Sequence, residues 1–417
     1  MKSSHIFFLK RYSRLIRMVI VAFIVVFYLF SINSFLIYST YNDFGKFYAS
    51  IRLFLKGKSI YTPIPLEDIP TMSDAVRALS SRDTLHPNLN PPFQTLLFLP
   101  FGFLKPYISF ITFSITSILF GFAAVIIIHN ATRSEMDEWF DELALLILLL
   151  LYFPTWATLL LGQVSLYLLL LLTFAWVLSR SGKDELAGIV LGLALSIKIF
   201  IGIFLIFFLI RRRWRLLSWC LGTFLACNLV SILVFGSDSY AQYLNLLQGV
   251  YWYSTNWNAS FLGFFMRIFG GSESTPLINM PQLANFLAYF FSSIALVVLA
   301  WLSWPREGEP VFYYDLIFSL SLVIMLLVSP LGWMYYFPLL VIPFVVLLRI
   351  SKVYSSSILF FLALAWTMTT IPRRLIPAAQ VGIIDAFLWS GFYFYGLLVF
   401  AVLLIISARF IKSKALN

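Results

Sequence analysis

The sequence predicts an all-α protein that crosses a membrane roughly a dozen times. Three observations carry that expectation. Of 417 residues, 61% are hydrophobic and 11% charged, whereas a typical soluble domain is about 25% charged. The apolar residues fall in long runs, many near the ~20 residues that a helix needs to cross hydrocarbon. The positive residues, which leave a net charge of +11, cluster beside those runs, the mark of membrane orientation rather than of a nucleic-acid module. The same composition excludes disorder, collagen and coiled coil. Cys220 and Cys227 sit within apolar runs, and His5, His86 and His129 are far apart. The sequence therefore offers no disulfide framework and no metal-ligand cluster.

Taken in order, the candidate spans are 18–38, 92–104, 107–128, 143–161, 164–179, 187–210, 216–235, 284–304, 312–328, 333–349, 356–371 and 389–408. The second opens at Pro91-Pro92, and a helix tolerates Pro in its first turn. The span 187–210 carries Gly192, Lys198 and Gly202 and reads as a candidate broken helix. Lys2, Lys10, Arg11, Arg14 and Arg17 precede the first run. That run is long and lacks a small-residue cleavage site, so it reads as an uncleaved anchor with a cytoplasmic N-terminus. Alternation then places Lys105, the cluster Arg211, Arg212, Arg213 and Arg215, Arg349 with Lys352, and the C-terminal Arg409, Lys412 and Lys414 inside. Glu135, Asp137, Glu138, Asp141 and Glu142 fall outside. Arg180 and Lys183 also fall outside, against the charge bias, unless a break near Lys198 relocates their loop.

No soluble domain, low-complexity linker or short repeat appears, so residues 1–417 read as one integral-membrane domain. Two outer segments are long, 41–91 and 236–283. In the first, Phe47, Ile51 and Phe54 recur at helical spacing with Lys46 and Arg52 interspersed in the same segment, the pattern of a helix lying at the interface. Residues 239–253 look similar. Long outer loops with interfacial helices point to a reaction or recognition site at the outer face.

Seven constellations carry polar chemistry. Asn42-Asp43-Phe44 follows the first span; its carboxylate is either a general base or a helix cap. His86-Pro87-Asn88-Leu89-Asn90-Pro91-Pro92 is a stiff turn into a helix. Gly162-Gln163 is a tight turn between apolar runs, and Lys198 is an ionisable residue inside one, which is either functional or snorkelling. Asn256-Trp257-Asn258-Ala259-Ser260 precedes Arg267, a candidate for bidentate phosphate contact or for a lipid headgroup. Ser329-Pro330-Leu331-Gly332-Trp333 precedes Tyr335 and Tyr336, an aromatic cluster that also fits an interfacial belt. Arg373 and Arg374 lie between Pro372 and Pro377. No Walker loop, zinc-protease helix or Gly-x-Ser-x-Gly elbow is present.

The order of these motifs resembles the membrane glycosyltransferases of family 87, a GT-C-type group that includes polyprenyl-phosphate-mannose-dependent mannosyltransferases. The likeness runs from Asp43-Phe44, Tyr48 and Ala49 through Gly57, Tyr61 and Pro63 to Asn90-Pro91-Pro92 and Pro100. It continues through Gly162-Gln163, Ala187-Gly188 to Lys198, the basic run ending at Arg215, Asn258, Ser260 and Arg267, and closes at Ser329-Pro330 with Trp333. It departs at one point, because Tyr335 and Tyr336 stand where members often carry His.

The resemblance implies a GT-C-type fold of roughly 12 transmembrane helices. It implies transfer of a hexose, mannose first, from a polyprenyl-phosphate donor to a lipid or glycan acceptor at the non-cytoplasmic face of a bacterial plasma membrane. On that reading Asp43 is the general base, and Lys198, Arg267, Arg373 and Arg374 stabilise the departing phosphate. Asn90, Gln163, Asn258, Trp333, Tyr335 and Tyr336 shape the substrate pocket. The lipid-linked sugar is the substrate, with no metal and no other cofactor expected. A multi-span transporter or lipid flippase shares the helix number and the intramembrane Lys, but calls for matched inverted repeats, of which the sequence has one interrupted segment. A catalytically silent homologue is the remaining alternative.

Overall fold

Hydrocarbon offers a backbone no water to bond, so a chain with these runs satisfies its own amides in helices. The computed structural model describes residues 14–31, 43–65, 84–85, 88–132, 142–250, 252–270, 278–354, 356–372 and 391–414. They are almost wholly helical. Two units form, one drawn from Met1–Leu89 with Thr95–Leu170, the other from Asn90–Gln94 with Leu171–Asn417.

The first unit begins with α1 (Arg14–Ser31) and α2 (Asp43–Leu55), followed by a two-residue antiparallel pairing of β1 (Ile64–Pro65) with β2 (Thr84–Leu85). Then come α3 (Pro92–Phe98), a 3-10 turn (Leu99–Phe103), α4 (Pro106–Thr132), α5 (Glu142–Leu151) and α6 (Phe153–Leu161). Pro154 falls in the first turn of α6 and cannot donate back to α5, and the two helices are bent by 64°. Helix α7 (Ser165–Arg180) runs on into the second unit.

The second unit contains α8 (Asp184–Ile197), a 3-10 turn (Ile199–Gly202), α9 (Ile203–Ile210), α10 (Trp214–Phe235), α11 (Asp238–Gln248) and α12 (Phe261–Phe269). It continues with α13 (Pro281–Ser303), α14 (Val311–Val328), a 3-10 segment (Met334–Leu340), α15 (Val341–Tyr354), α16 (Ser356–Thr370) and α17 (Phe392–Lys414). Helix α14 is apolar on every side, which is the signature of a buried helix. It packs against α9, α13, α15 and α17. Its one acid, Asp315, is 1% exposed, accepts a hydrogen bond from Trp176 Nε1 at 2.8 Å and lies 3.5 Å from Arg180. Burial of a carboxylate is tolerated where such partners exist.

Helices α1, α4, α10, α13, α14 and α17 are long and apolar enough to cross a membrane, and the bent α5–α6 pair adds a seventh if it counts as one span. The chain is an integral membrane protein. Three features of the expected topology change. The segment 92–104 is a seven-residue helix and a 3-10 turn, too short for the roughly 30 Å of hydrocarbon. It lies along α2, with Tyr48 OH donating to Leu104 O at 2.9 Å. The segment 187–210 is a hairpin rather than a single crossing. Arg213 pairs with Asp184, and Arg215 with Glu185 at 2.5 Å, so both feet stand at one end and Lys198 marks the tip. Arg180 and Lys183 thus share the end of the 211–215 cluster. A hydropathy window measures composition and cannot detect a reversal. Finally, Glu142 lies 3.3 Å from Arg14, at the end assigned to the N-terminus rather than opposite it. The rest of that acidic run lies outside the described residues.

The hairpin is held by close packing. Gly188 and Gly192, one turn apart on α8, face α10. A Cβ at Gly192 would come within 2.5 Å of Cys220 O and 2.8 Å of Thr223 Cβ. Small residues at this spacing let two helices touch backbone to backbone. Replacing Gly192 with Leu should part α8 from α10 and cost about 1–3 kcal/mol. That would be read as a lower thermal midpoint in detergent, with Ala at the exposed Gly222, where a Cβ meets nothing within 4 Å, as an internal control.

Candidate functional site

Polar side chains gather where the helices break. In the first unit the break is the α6–α7 turn. Gly162 takes φ 68, a left-handed conformation that glycine adopts without strain. Its N–H bonds to Leu159 O at 3.2 Å, and Gln163 N bonds to Thr158 O at 2.9 Å. A Cβ at Gly162 would strike Phe44. Phe44 in turn sits in a nest of rings, 5.0 Å from Phe110 and 5.2 Å from Phe113 by centroid. This nest anchors the first turn of α2, so the neighbouring Asp43 is presented at a fixed place. An acidic group in a first turn also favours the positive end of the helix dipole. Lys46 Nζ lies 3.1 Å from Asp43 Oδ1, and Gln163 Nε2 donates to Oδ2. The Asp43 side chain keeps 25% of its exposure, so it remains within reach from outside.

The ends of this unit differ. His129 and Arg14 both lie near Glu142. Phe110, beside Phe44, is separated from His129 by nineteen residues of α4, about 28 Å at 1.5 Å per residue. Asp43 and Gln163 therefore occupy the end opposite Arg14.

In the second unit the hairpin tip supplies the cation. Lys198 is extended, with φ −143 and ψ 113, between α8 and the 3-10 turn. Its Nζ donates to Asn90 Oδ1 and stands 5.7 Å from the centre of the Tyr336 ring, where a cation is attracted by the π face. Tyr336 is buried, while Tyr335 and Trp333 are half-buried. The Trp333 and Tyr335 rings are nearly parallel, 12° apart at 5.8 Å, and Tyr335 meets Tyr336 edge-on at 4.8 Å.

The Trp333 segment is fixed by Asn258, whose amide is fully used. Its Nδ2 donates to Tyr253 O and Pro330 O, each at 2.9 Å. Its Oδ1 accepts from Ser260 N at 3.2 Å and Gly332 N at 3.0 Å. Two backbone bonds flank it, Ala259 N to Gly332 O and Met334 N to Trp257 O, both 2.9 Å. Ser260 caps α12 through Gly263 N. One turn from the end of that helix, Arg267 points inward, is 3% exposed, and donates from Nη1 to Thr255 O and Asn258 O at 2.8 Å each. Burial pulls its guanidinium down to about 9, so it stays cationic at neutral pH. Asn258 and Arg267 thus serve the loop that carries the aromatic rings.

Of the residues expected at the site, the structure brings Asp43 to Gln163 and Asn90 to Lys198 and Tyr336, with Trp333 and Tyr335 beside Tyr336. Arg373, Arg374, Asn42 and His86 lie outside the described residues. Sequence reasoning passed over Lys46 as the carboxylate's partner, although three-residue spacing on a helix signals such a pair. It also passed over Gln94, which is 1% exposed and whose amide has no hydrogen-bond partner among the described residues.

In the second unit, Arg211 stacks on Tyr314 at 4.9 Å near the start of α14, and Ser329–Trp333 follow its far end. Eighteen helical residues, about 27 Å, separate the basic end from the Lys198 end. The described residues form a polytopic helical membrane protein in which each unit gathers polar groups at one end of its helices. The model of glycosyltransferase family 87 matches residues 88–330, more than half of the chain. The chain belongs to that family, and is a membrane glycosyltransferase. Among solved structures, ArnT from Cupriavidus metallidurans in the apo state is similar at 15% identity, over 92% of this chain and 77% of that one, with a TM-score of 0.31. No curated protein matches.

Two outcomes follow from the local geometry. Gly162→Ala should cost about 1–3 kcal/mol, from the left-handed backbone and the collision with Phe44, measured as a lower midpoint of unfolding. Asn258→Ala strips partners from four backbone groups, each worth about 1–3 kcal/mol if left unpaired. It should open the 253–260 and 329–334 loops to limited proteolysis before the helices unfold.

Proposed function

We propose that this enzyme transfers a hexose, mannose first among candidates, from a polyprenyl-phosphate donor to a lipid or glycan acceptor. The reaction takes place at the non-cytoplasmic face of a bacterial plasma membrane, with both termini cytoplasmic. The observation that carries the reading is the Asp43 carboxylate, held at the opening of α2 by Lys46 and Gln163 yet reachable from outside. Charge supports the orientation. In the second unit Arg180, Arg211, Arg213, Arg215 and Arg409 gather away from Lys198, and positive residues favour the cytoplasm.

Asp43 takes the proton of the acceptor hydroxyl. The oxygen attacks the anomeric carbon on the face opposite the phosphate and forms the new glycosidic bond, while the old carbon–oxygen bond breaks and its electron pair leaves on the phosphate. The product is inverted. Lys198 meets the charge that develops on the leaving group, and Asn90 and Tyr336 hold Lys198 where it is needed. Arg373 and Arg374 are further phosphate partners. The flat, half-buried faces of Trp333 and Tyr335 receive the C–H face of a sugar. Arg267 and Asn258 act by holding the Trp333 loop. The lipid-linked sugar is a substrate, and no cofactor is called for.

Membranes carrying the protein should transfer labelled sugar from polyprenyl-phosphate mannose, and from the glucose analogue more slowly or not at all. Asp43→Asn should abolish transfer at equal expression, and Lys198→Met should lower it by about 100-fold. Wild-type rates from Asp43→Asn would remove the base from this mechanism.

A further inference from the structure

Gln163 was expected in the substrate pocket, but its surroundings suit another task. Its backbone has no freedom. Gly162 before it is left-handed and pressed on Phe44, and its own N–H is bound to Thr158 O. The residue is 4% exposed. Among the described residues its amide has one hydrogen-bond partner, Asp43 Oδ2, through Nε2. The other end, Oε1, is buried without a partner. An amide kept for the core alone would be paired at both ends, because an orphaned buried acceptor is costly. A Met or Leu of similar volume would avoid that cost. Retaining the amide gains only the contact with Asp43.

That contact is complementary to the one made by Lys46. Lys46 holds Oδ1 from the same helix, with a flexible side chain that remains 27% exposed. Gln163 holds Oδ2 from a rigid turn in a different element. Together they fix the rotation of the carboxylate, and the buried partner is the less mobile of the two. Orientation of a reacting group contributes to the chemical step rather than to binding.

We infer that Gln163 is a positioning residue: it acts through Asp43, orienting the carboxylate for proton removal, and does not contact the sugar. The inference rests on Asp43 as the base. It predicts that Gln163→Met, which keeps the length and removes the donor, lowers kcat about 10- to 100-fold and leaves KM within about twofold. Gln163→His restores an N–H at similar reach and should recover a large part of the loss. Both variants should melt in detergent close to the wild type, because the turn is set by Gly162.

The test is steady-state transfer from labelled polyprenyl-phosphate mannose by wild type, Gln163→Met, Gln163→His and Asp43→Asn at matched protein. A fall in kcat alone, partly restored by His, supports the inference. A raised KM with kcat intact overturns it and makes Gln163 a substrate contact. Equal loss in Met and His variants of unchanged stability also overturns it. Asp43→Asn at the wild-type rate removes the base, and this inference with it. An inactive Asp43→Asn beside an unimpaired Gln163→Met removes the inference alone.

Discussion

The structure depends on the absence of hydrogen-bonding solvent in hydrocarbon. A helix can stop inside or near a membrane only where protein groups take over its free amides and carbonyls. The breaks at Gly162 and at the Trp333 loop are closed in that way. Gly162 and Gln163 cap α6 through their own N–H groups. Asn258 binds four backbone groups at the Trp333 loop, and Arg267 covers two carbonyls beneath it. Because the breaks must be polar to exist, they are also where polar side chains concentrate. The catalytic assignments fall at the same places for that reason.

The basic ends obey a different rule. Arg211 with Glu309, Arg213 with Asp184 and Arg215 with Glu185 tie together loops that hydropathy treats as separate. The exposed Arg215–Glu185 pair adds little to stability by itself, while Arg211–Glu309 is nearly buried. Their importance here is topological, since they fix which loops share an end. With the basic loops drawn to one end, the second unit has a definite polarity from Arg211 to Lys198.

Much of this was legible in the sequence. Composition showed the membrane, and motif order pointed to the family. The polar breaks at Asp43, Gln163, Lys198 and Trp333 stood out because they interrupt apolar runs. What was hidden is pairing at a distance. The sequence gives no sign that Gln163 reaches across 120 positions to Asp43, or that Arg267 turns one nitrogen inward to two carbonyls. The reversal at Lys198 was half visible: the lysine and flanking glycines marked a break, but only the Asp184–Arg213 pair reveals that the chain turns back. Likewise Pro91-Pro92 marked a helix start correctly and its length wrongly, because Phe98, Phe101 and Gly102 turn in to pack on α2 while Leu97, Pro100 and Phe103 stay exposed.

The hairpin at Lys198 also bears on how the chain enters its membrane. Helix α8 has 14 residues and the limb from Ile199 to Ile210 has 12, both short of the roughly 20 that partition into hydrocarbon by themselves. Neither limb is a self-sufficient signal for the insertion machinery. Helix α10, with 22 residues, is, and it lies against Gly188 and Gly192. The shelter the two limbs lack by themselves comes from this later helix, on which Gly188 and Gly192 are packed. The length rule for a single span therefore applies to this stretch as a three-helix unit and not to its limbs one by one.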